Sequence, residues 1–502
     1  MSSTARRSQL ALGLIRGWRA VVVFKVLGAF VGVLWLIQLT ARLPLDQLGV
    51  LFGVIALFEL TQHVSSLGVN SYCDRFLTSD WAKAPRVTFV RRLLLVFAWR
   101  LVTLATAAIV LAGLMPWIEA ALGWAGLTIA PGLMLAYVLC EGLFRFLEIV
   151  LTATLQQVAC QALLFARGLG RLVLMALMLV DPLTALDVLW VDILVTAVCC
   201  VVAMVVVVRM AIGLPVEREM SSPALASRLD FTWRSYVALL LERVSNVDVV
   251  KLLVSGSLGP SALALFGLAH AIADYAARYM PLAMFHGQIR AWLTARLEQG
   301  VPLGSDDDDA RLLLRVNVIF IAAASPALVL FGEALLNSAG VREGYGDLTL
   351  LLAGMAPLAV LTTGRISLSL SAHLRQDGAA LLHASAVAVV TPLWVWIASP
   401  SLGLLAAVIG CWWLELGPCL MLLRRHGRQL RAWWGSGNQG VGIVAAASVA
   451  SGIGAGLLQV LDGGGSVWTA MCAYALVYCA MLVACRAFSS RDFGLLQSAI
   501  RR

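Results

Sequence analysis

The sequence predicts an all-α polytopic membrane protein of about fourteen transmembrane helices, arranged as two pseudo-symmetric six-helix lobes followed by two further helices. Three observations carry this expectation. Of 502 residues, 61% are apolar and 13% charged, against roughly 25% charged in a soluble domain, which must cover its outside with polar groups. Apolar runs of about 20 residues, the length that crosses a bilayer as a helix, recur along the whole chain. Short patterns in the first half also return in the second. A mean hydropathy of +0.89 leaves little of the chain for aqueous domains.

The first expected helical core runs from Val21 to Leu39. It follows basic residues as a signal peptide does, but Lys25 interrupts it and the chain keeps re-entering the membrane, so it reads as a retained helix. Cores from Leu48 to Leu67, Leu93 to Leu114, Pro131 to Ile149, Val158 to Val180 and Val188 to Val208 complete a first lobe, residues 1–210. After a linker at 211–234, a second lobe at 235–425 holds Tyr236 to Gly256, Leu263 to Ala283, Leu312 to Leu336, Leu348 to Leu370, Ala379 to Ala398 and Leu404 to Leu423. Val441 to Leu458 and Val467 to Cys485 are the two extra helices, within 426–502.

Between these cores the basic residues alternate. One set of loops holds Arg16 and Arg19, then Lys83, Arg86, Arg91 and Arg92, then Arg209, Arg218, Arg228 and Arg234, then Arg424, Arg425, Arg428 and Arg431; the other holds almost only Arg42 and Arg342. Basic loops stay cytoplasmic, so both termini are expected inside, with an even number of spans. The net charge of +9 is thus a topology signal, and no nucleic-acid partner is expected. The ten cysteines show no CxxC spacing and read mostly as small buried hydrophobes. Asp306 to Asp309 lack spaced partners or histidine and read as a solvated patch, so no metal or cofactor is expected. The tryptophans Trp117, Trp124, Trp394, Trp396, Trp433 and Trp434 lie near span ends and read as interfacial anchors.

The repeat rests on several weak matches. Leu51-Phe52-Gly53 in the second span corresponds to Leu265-Phe266-Gly267 in the eighth, and the preceding turns, Leu43-Pro44-Leu45 and Leu258-Gly259-Pro260, correspond with one insertion. Arg91-Arg92-Leu93-Leu94-Leu95 is similar to Arg311-Leu312-Leu313-Leu314. Parallel repeats of this kind form one class of transporter, with substrate held between the halves.

Charges inside the spans are the functional candidates, because each costs about 2.5–3.5 kcal/mol at the bilayer centre unless it faces protein or water. Glu141, Arg145, Glu148 and Thr152 follow one another along a single helical face. Exposed to lipid, three such charges would cost roughly 8–10 kcal/mol, so this face must line the interior. The second span presents Glu59, Gln62, His63, Ser66 and Asn70, and the eighth His270, Asp274 and Arg278. Both halves therefore place a histidine one turn from a carboxylate, a pair able to exchange protons near neutral pH or to form a structural ion pair between helices.

The cationic set is Lys25, which shares a face with Gly28, Gly32 and Trp35; Arg167 and Arg171, one turn apart; and Lys251, with Ser245, Asp248 and Ser255. Gly28 and Gly32 have the spacing that lets a second helix approach closely. Guanidinium binds phosphate through paired hydrogen bonds, and lysine acts as a point charge. An anionic cargo, particularly a diphosphate, fits such an interior. Arg100 and Arg365 read as snorkelling toward the interface, and His383 and Glu415 have no evident partner.

The opening of the chain resembles bacterial polysaccharide export proteins. The likeness rests on a lysine in the first span, Thr40-Ala41-Arg42-Leu43-Pro44 to Leu51-Phe52-Gly53, Ser66-Leu67-Gly68-Val69 and Arg75-Phe76-Leu77, with Leu330-Phe331-Gly332 to Gly344-Tyr345 further on. These proteins are the lipid-linked oligosaccharide flippases of the multidrug/oligosaccharidyl-lipid/polysaccharide (MOP) exporter superfamily. The resemblance implies a transporter rather than an enzyme, a V-shaped central cavity and alternating access. Its implied cargo is an undecaprenyl-diphosphate-linked oligosaccharide, moved from the inner to the outer leaflet for exopolysaccharide, capsule or O-antigen synthesis. A polysaccharide polymerase and chain-length or export proteins are implied partners.

Combined with the interior charges, this makes Lys25, Arg145, Arg167, Arg171, Lys251 and Arg278 the expected diphosphate-binding set. Glu59, His63, Glu141, Glu148, Asp248, His270 and Asp274 are the expected positions for a coupling ion, H+ or Na+. A drug or cation antiporter of the same superfamily is the first alternative, against which the interior Arg and Lys weigh. A membrane polysaccharide polymerase or ligase is the second; it commonly carries a sizeable external loop or an acidic surface pair, and Asp181 and Asp187 are the nearest candidates.

Overall fold

The computed structural model describes residues 3–77, 80–81, 85–124, 129–154, 156–178, 183–213, 232–233, 236–237, 240–241, 243–278, 378–434, 447–453 and 467–484, with isolated positions between 319 and 365. Among the described residues all regular structure is helical. The chain divides into two compact units, one comprising Met1–Val244 and Lys251–Ala264, the other Ser245–Val250 and Leu265–Arg502.

In the first unit α1 is Ser3–Arg42, α2 Leu45–Val64, α3 Arg86–Ala121, α4 Pro131–Ala153, α5 Gln157–Leu177 and α6 Ala185–Ile212. They coincide with the six spans expected there. Helix α7, Val247–Leu258, and α8, Pro260–Arg278, follow, and the division between units runs through both, whereas the sequence repeat sets its boundary at 211–234. The second unit adds α9, Gly378–Ala388, α10, Val390–Leu402, α11, Leu404–Trp434, and α12, Val467–Ala484.

Among the described residues seven helical stretches are long and apolar enough to cross a membrane: Ala20–Arg42, Leu45–Val64, Arg86–Ala121, Gln157–Leu177, Ala185–Ile212, Leu382–Leu402 and Leu404–Arg424. Helix α4 has the length, 23 residues, but carries three charges. The ninth, tenth and thirteenth expected spans lie largely outside the described residues, as does the run Asp306 to Asp309.

Local chemistry sets the helix ends. Pro44 and Pro85 stand at the N-caps of α2 and α3, and Pro131 opens α4, where its missing N–H costs nothing. Thr184 and Asp187 form a reciprocal capping box at the start of α6. Arg42 closes α1 by donating to the carbonyls of Met175 and Met178, the latter at 2.7 Å, so that it satisfies acceptors freed at the end of α5. After α2 the chain reverses through Gly68 at φ +84°, which begins a short helical segment, Val69–Tyr72, and a wider turn, Cys73–Leu77.

Helix α4 packs between α3 and α6, and α5 lies against α1 and α6. Glycines on α5 permit that sandwich: a Cβ on Gly168 would sit 3.2 Å from Val31 of α1, and one on Gly170 3.0 Å from Val195 of α6. Among the described residues nothing lies within 4 Å of a Cβ placed on Gly28, so the close approach expected there is not seen. Phe144, Phe146, Leu147 and Val150 of α4 join Phe89 and Leu93 of α3 and Val191 and Val195 of α6 in one buried core.

Trp124 departs from its expected interfacial role. It is 2% exposed, lies against Gly53, and donates from Nε1 to Ser255 Oγ at 2.9 Å. Trp117, by contrast, is 78% exposed.

In the second unit α9 and α10 pack on α11, and Trp394 Nε1 donates to the Ala406 carbonyl at 3.2 Å. Tyr474 and Tyr478 of α12 pack with Phe331 and Ala450. All described cysteines are free thiols. Most are buried, but Cys472 and Cys479 are exposed on α12, so they depart from the expected burial.

Candidate functional site

Three consecutive helices of the first unit bring charge into the membrane interior. On α4, Glu141, Arg145 and Glu148 share one face because the helix returns every 3.6 residues. On α5, Arg167 and Arg171 are one turn apart. Facing them on α6 is Asp192, which sequence reasoning missed. The rule that flagged the others, a lone charge in an apolar run, also applies to it.

The Glu141 carboxylate accepts hydrogen bonds from Arg167 and, at 3.1 Å, from Arg171. Arg171 Nε lies 2.6 Å from Asp192 Oδ1, an ion pair by distance that lacks hydrogen-bond alignment. Side-chain exposures are 5% for Glu141 and 7% for Arg167 and Asp192, so these charges are withdrawn from both lipid and water. The Arg167 guanidinium also lies over the Phe144 ring, 4.7 Å from its centroid, a cation–π contact that offsets part of its desolvation. Glu141 Oε2 is buried without a hydrogen-bond partner.

Along the same face of α4 the surroundings open. Arg145 Nη2 donates to Glu59 Oε1 of α2 at 3.2 Å and its Nη1 lies 3.6 Å from Glu148. His63 Nε2 is 4.0 Å from the other Glu59 oxygen. Here the side-chain exposures are 36% for Arg145, 26% for Glu59, 27% for Glu148 and 14% for His63.

The expected charges thus fall into a closed layer, in which Arg167 and Arg171 meet carboxylates rather than open space, and an accessible layer around Arg145. Together the ion pairs engage three guanidinium groups and four carboxylates. Such a set reaches neutrality on taking up one cation or proton, and His63 stands beside it.

The remaining expected residues have surroundings of their own. Lys25 of α1 is half-buried near Cys160 of α5, and Cys160 Sγ in turn lies 3.7 Å from Thr152 Oγ1 of α4. Asp248 accepts from Asn246 at 3.1 Å in the first turn of α7, the helix that also carries Lys251. His270 of α8 stacks on Phe266 with ring centroids 6.4 Å apart, and Asp274 is half-buried one turn on. The side chain of Arg278 lies outside the described residues.

Two arginines expected to snorkel do not. Arg100 is 1% exposed and donates to the Gln62 side chain and, at 3.0 Å, to Ser65 Oγ. Arg365 Nε lies 2.8 Å from Glu415, which supplies the partner that Glu415 lacked in the sequence. In both cases the guanidinium is held by side chains from elsewhere in the fold. Among the described residues no three His, Cys, Asp or Glu side chains gather as a metal site.

No family model matches the chain, and no curated protein matches it by sequence. Solved structures do match. A lipid II flippase, MurJ, in an inward closed conformation is 11% identical with a TM-score of 0.62, covering 94% of this chain and 99% of the flippase. An inward-facing multidrug resistance MATE family transporter of the MOP superfamily is 15% identical with a TM-score of 0.55, covering 83% of this chain and 99% of the transporter. A MATE transporter in complex with MaL6 is 14% identical with a TM-score of 0.50, covering 84% and 96%. The chain therefore has the all-helical fold of these membrane transporters.

Proposed function

We propose that this chain flips an undecaprenyl-diphosphate-linked oligosaccharide from the inner to the outer leaflet of a bacterial inner membrane, by alternating access coupled to H+ or Na+. The observation that carries the reading is the accessible guanidinium of Arg145 held loosely by Glu59 and Glu148, within a fold matching a lipid II flippase along nearly the whole of both chains. A diphosphate offers Arg145 the same paired oxygen geometry as a carboxylate and more charge. It can take the place of Glu59, which is then free to accept the coupling ion with His63 beside it. Lys25, Lys251 and Arg278 complete the cationic set in this proposal, and Arg167 and Arg171, held by Glu141 and Asp192, set the positions of α4, α5 and α6.

A second reading, a cation antiporter, is favoured by one observation: carboxylates outnumber guanidinium groups in the ion-paired cluster. Purified protein in proteoliposomes separates the two. The flippase reading expects a labelled undecaprenyl-diphosphate oligosaccharide to become accessible on the opposite leaflet, and expects an imposed proton or sodium gradient to change the rate. Export of an organic cation with no movement of the lipid would replace it.

A further inference from the structure

A groove with a basic end lies at the start of α3, away from the charge cluster. Arg86, Val87, Val90, Arg91, Leu94 and Leu95 line an open groove of about 520 Å³ on the face of the helix opposite its core side. The core side is set by Phe89, Leu93, Val96 and Arg100, all buried. On the groove side Val87 is 70% exposed, Leu94 60% and Leu95 62%, and the apolar stripe continues through Leu101 and Val102.

Three arginines begin this helix, and their pairing differs. Arg92 is bound to Asp80 at 2.6 Å. Among the described residues Arg86 and Arg91, which point into the groove, have no carboxylate partner. Two uncompensated guanidinium groups therefore head an apolar track.

The depth of that track can be read along the helix axis. From Arg91 to the exposed Trp117 the helix rises about 39 Å at ~1.5 Å per residue, close to the ~40–45 Å of a bilayer including its headgroup regions. With an aromatic anchor at one interface, Arg91 falls at headgroup level at the other. From Arg91 to Val102 the rise is about 16 Å, the thickness of one leaflet's hydrocarbon, half of ~30 Å.

We infer that this groove holds an anionic phospholipid, with its phosphate against Arg86 and Arg91 and an acyl chain along Val90, Leu94 and Leu95. Charge complementarity selects the headgroup, and an apolar stripe one leaflet long selects a lipid over a soluble phosphate. The basic end of α3 lies on the side expected to be cytoplasmic, where anionic lipids attract juxtamembrane arginine.

Native mass spectrometry of the full chain, released from micelles containing phosphatidylglycerol or phosphatidylcholine, tests it. Phosphatidylglycerol is expected to remain bound and phosphatidylcholine to be lost. The double variant R86Q/R91Q is expected to reduce phosphatidylglycerol retention about thirtyfold, the scale set by two surface arginines. R91Q alone, at an exposed position that folding does not require, is expected to reduce it several-fold.

R209Q removes another exposed arginine at the end of α6 and is expected to change nothing. Equal losses in R209Q and R86Q/R91Q would assign the effect to the general basic belt and overturn the site, as would equal retention of the two phospholipids. Displacement of phosphatidylglycerol by inorganic phosphate would overturn the lipid assignment. Preferential retention of undecaprenyl diphosphate over phosphatidylglycerol, lost in R86Q/R91Q, would make the groove a cargo entry point instead.

Discussion

Arg145 on α4 and Glu59 on α2, 86 positions apart in the sequence, stand 3.2 Å apart and join the two helices at the open end of the charge cluster. Both side chains are more than a quarter exposed, so the pair contributes only about 0–1 kcal/mol to stability. R145Q and E59Q are therefore expected to insert and fold normally, and their transport can be read directly. R145Q is expected to abolish lipid flipping. E59Q, which removes the ion acceptor, is expected to flip at a rate that no longer responds to an imposed gradient. Flipping assays in proteoliposomes with matched protein levels check both.

Arg171 is expected to behave differently because it is shared by two buried carboxylates. R171L leaves Asp192 buried without its cation and Glu141 with Arg167 alone, and is expected to destabilise the protein by about 3–5 kcal/mol. The double variant R171L/D192L removes both partners of one pair and is expected to recover most of that loss. Thermal unfolding of detergent-solubilised protein measures both, and a double variant no more stable than R171L would contradict the pairing.

Gln62 holds the buried guanidinium of Arg100 together with Ser65. Q62L removes a hydrogen bond to a charged donor, and a loss of about 1.5–3 kcal/mol is expected. An Arg100 that reached the interface would show no such dependence, so an unchanged melting temperature in Q62L would restore the snorkelling arrangement.

Glycine positions give a steric test. A Cβ on Gly49 would lie 1.8 Å from the Pro260 carbonyl oxygen, a backbone atom that cannot rotate away, while one on Gly28 meets nothing within 4 Å. G49A is expected to cost at least about 1–3 kcal/mol, the scale of overpacking, and to lower the yield of folded protein. G28A is expected to match the parent chain. Size-exclusion profiles of the two proteins distinguish them.

The helical fold was legible because lipid imposes length and apolarity on every span, and the six helices of the first unit fall where the hydropathy puts them. The shared face of Glu141, Arg145 and Glu148 was legible for a similar reason, since helical periodicity is local. Pairings across helices were not. Arg100 stands about two turns inside the span expected from Leu93 and reads as snorkelling until Gln62 is seen beside it, and Glu415 has no partner until Arg365 is placed. Trp124 carries the same signal as an interfacial anchor, and only the neighbouring Gly53 and Ser255 show that it is packed inside. The Gly28 and Gly32 spacing fits a close helix approach, but among the described residues Gly28 meets no neighbour while Gly168 and Gly170 do, because spacing does not reveal which face meets a neighbour.

The sharing of Glu141, Arg167, Arg171 and Asp192 among α4, α5 and α6 has a consequence for biogenesis. Helix α4 emerges from the ribosome before α5, so Glu141 at first lacks Arg167 and Arg171, and a centrally placed charge opposes insertion by about 2.5–3.5 kcal/mol. Its partners follow only after two turns of the chain back through the translocation machinery. The three helices are therefore expected to enter the bilayer as a group, with α4 retained beside the insertion channel until α5 and α6 have been synthesised.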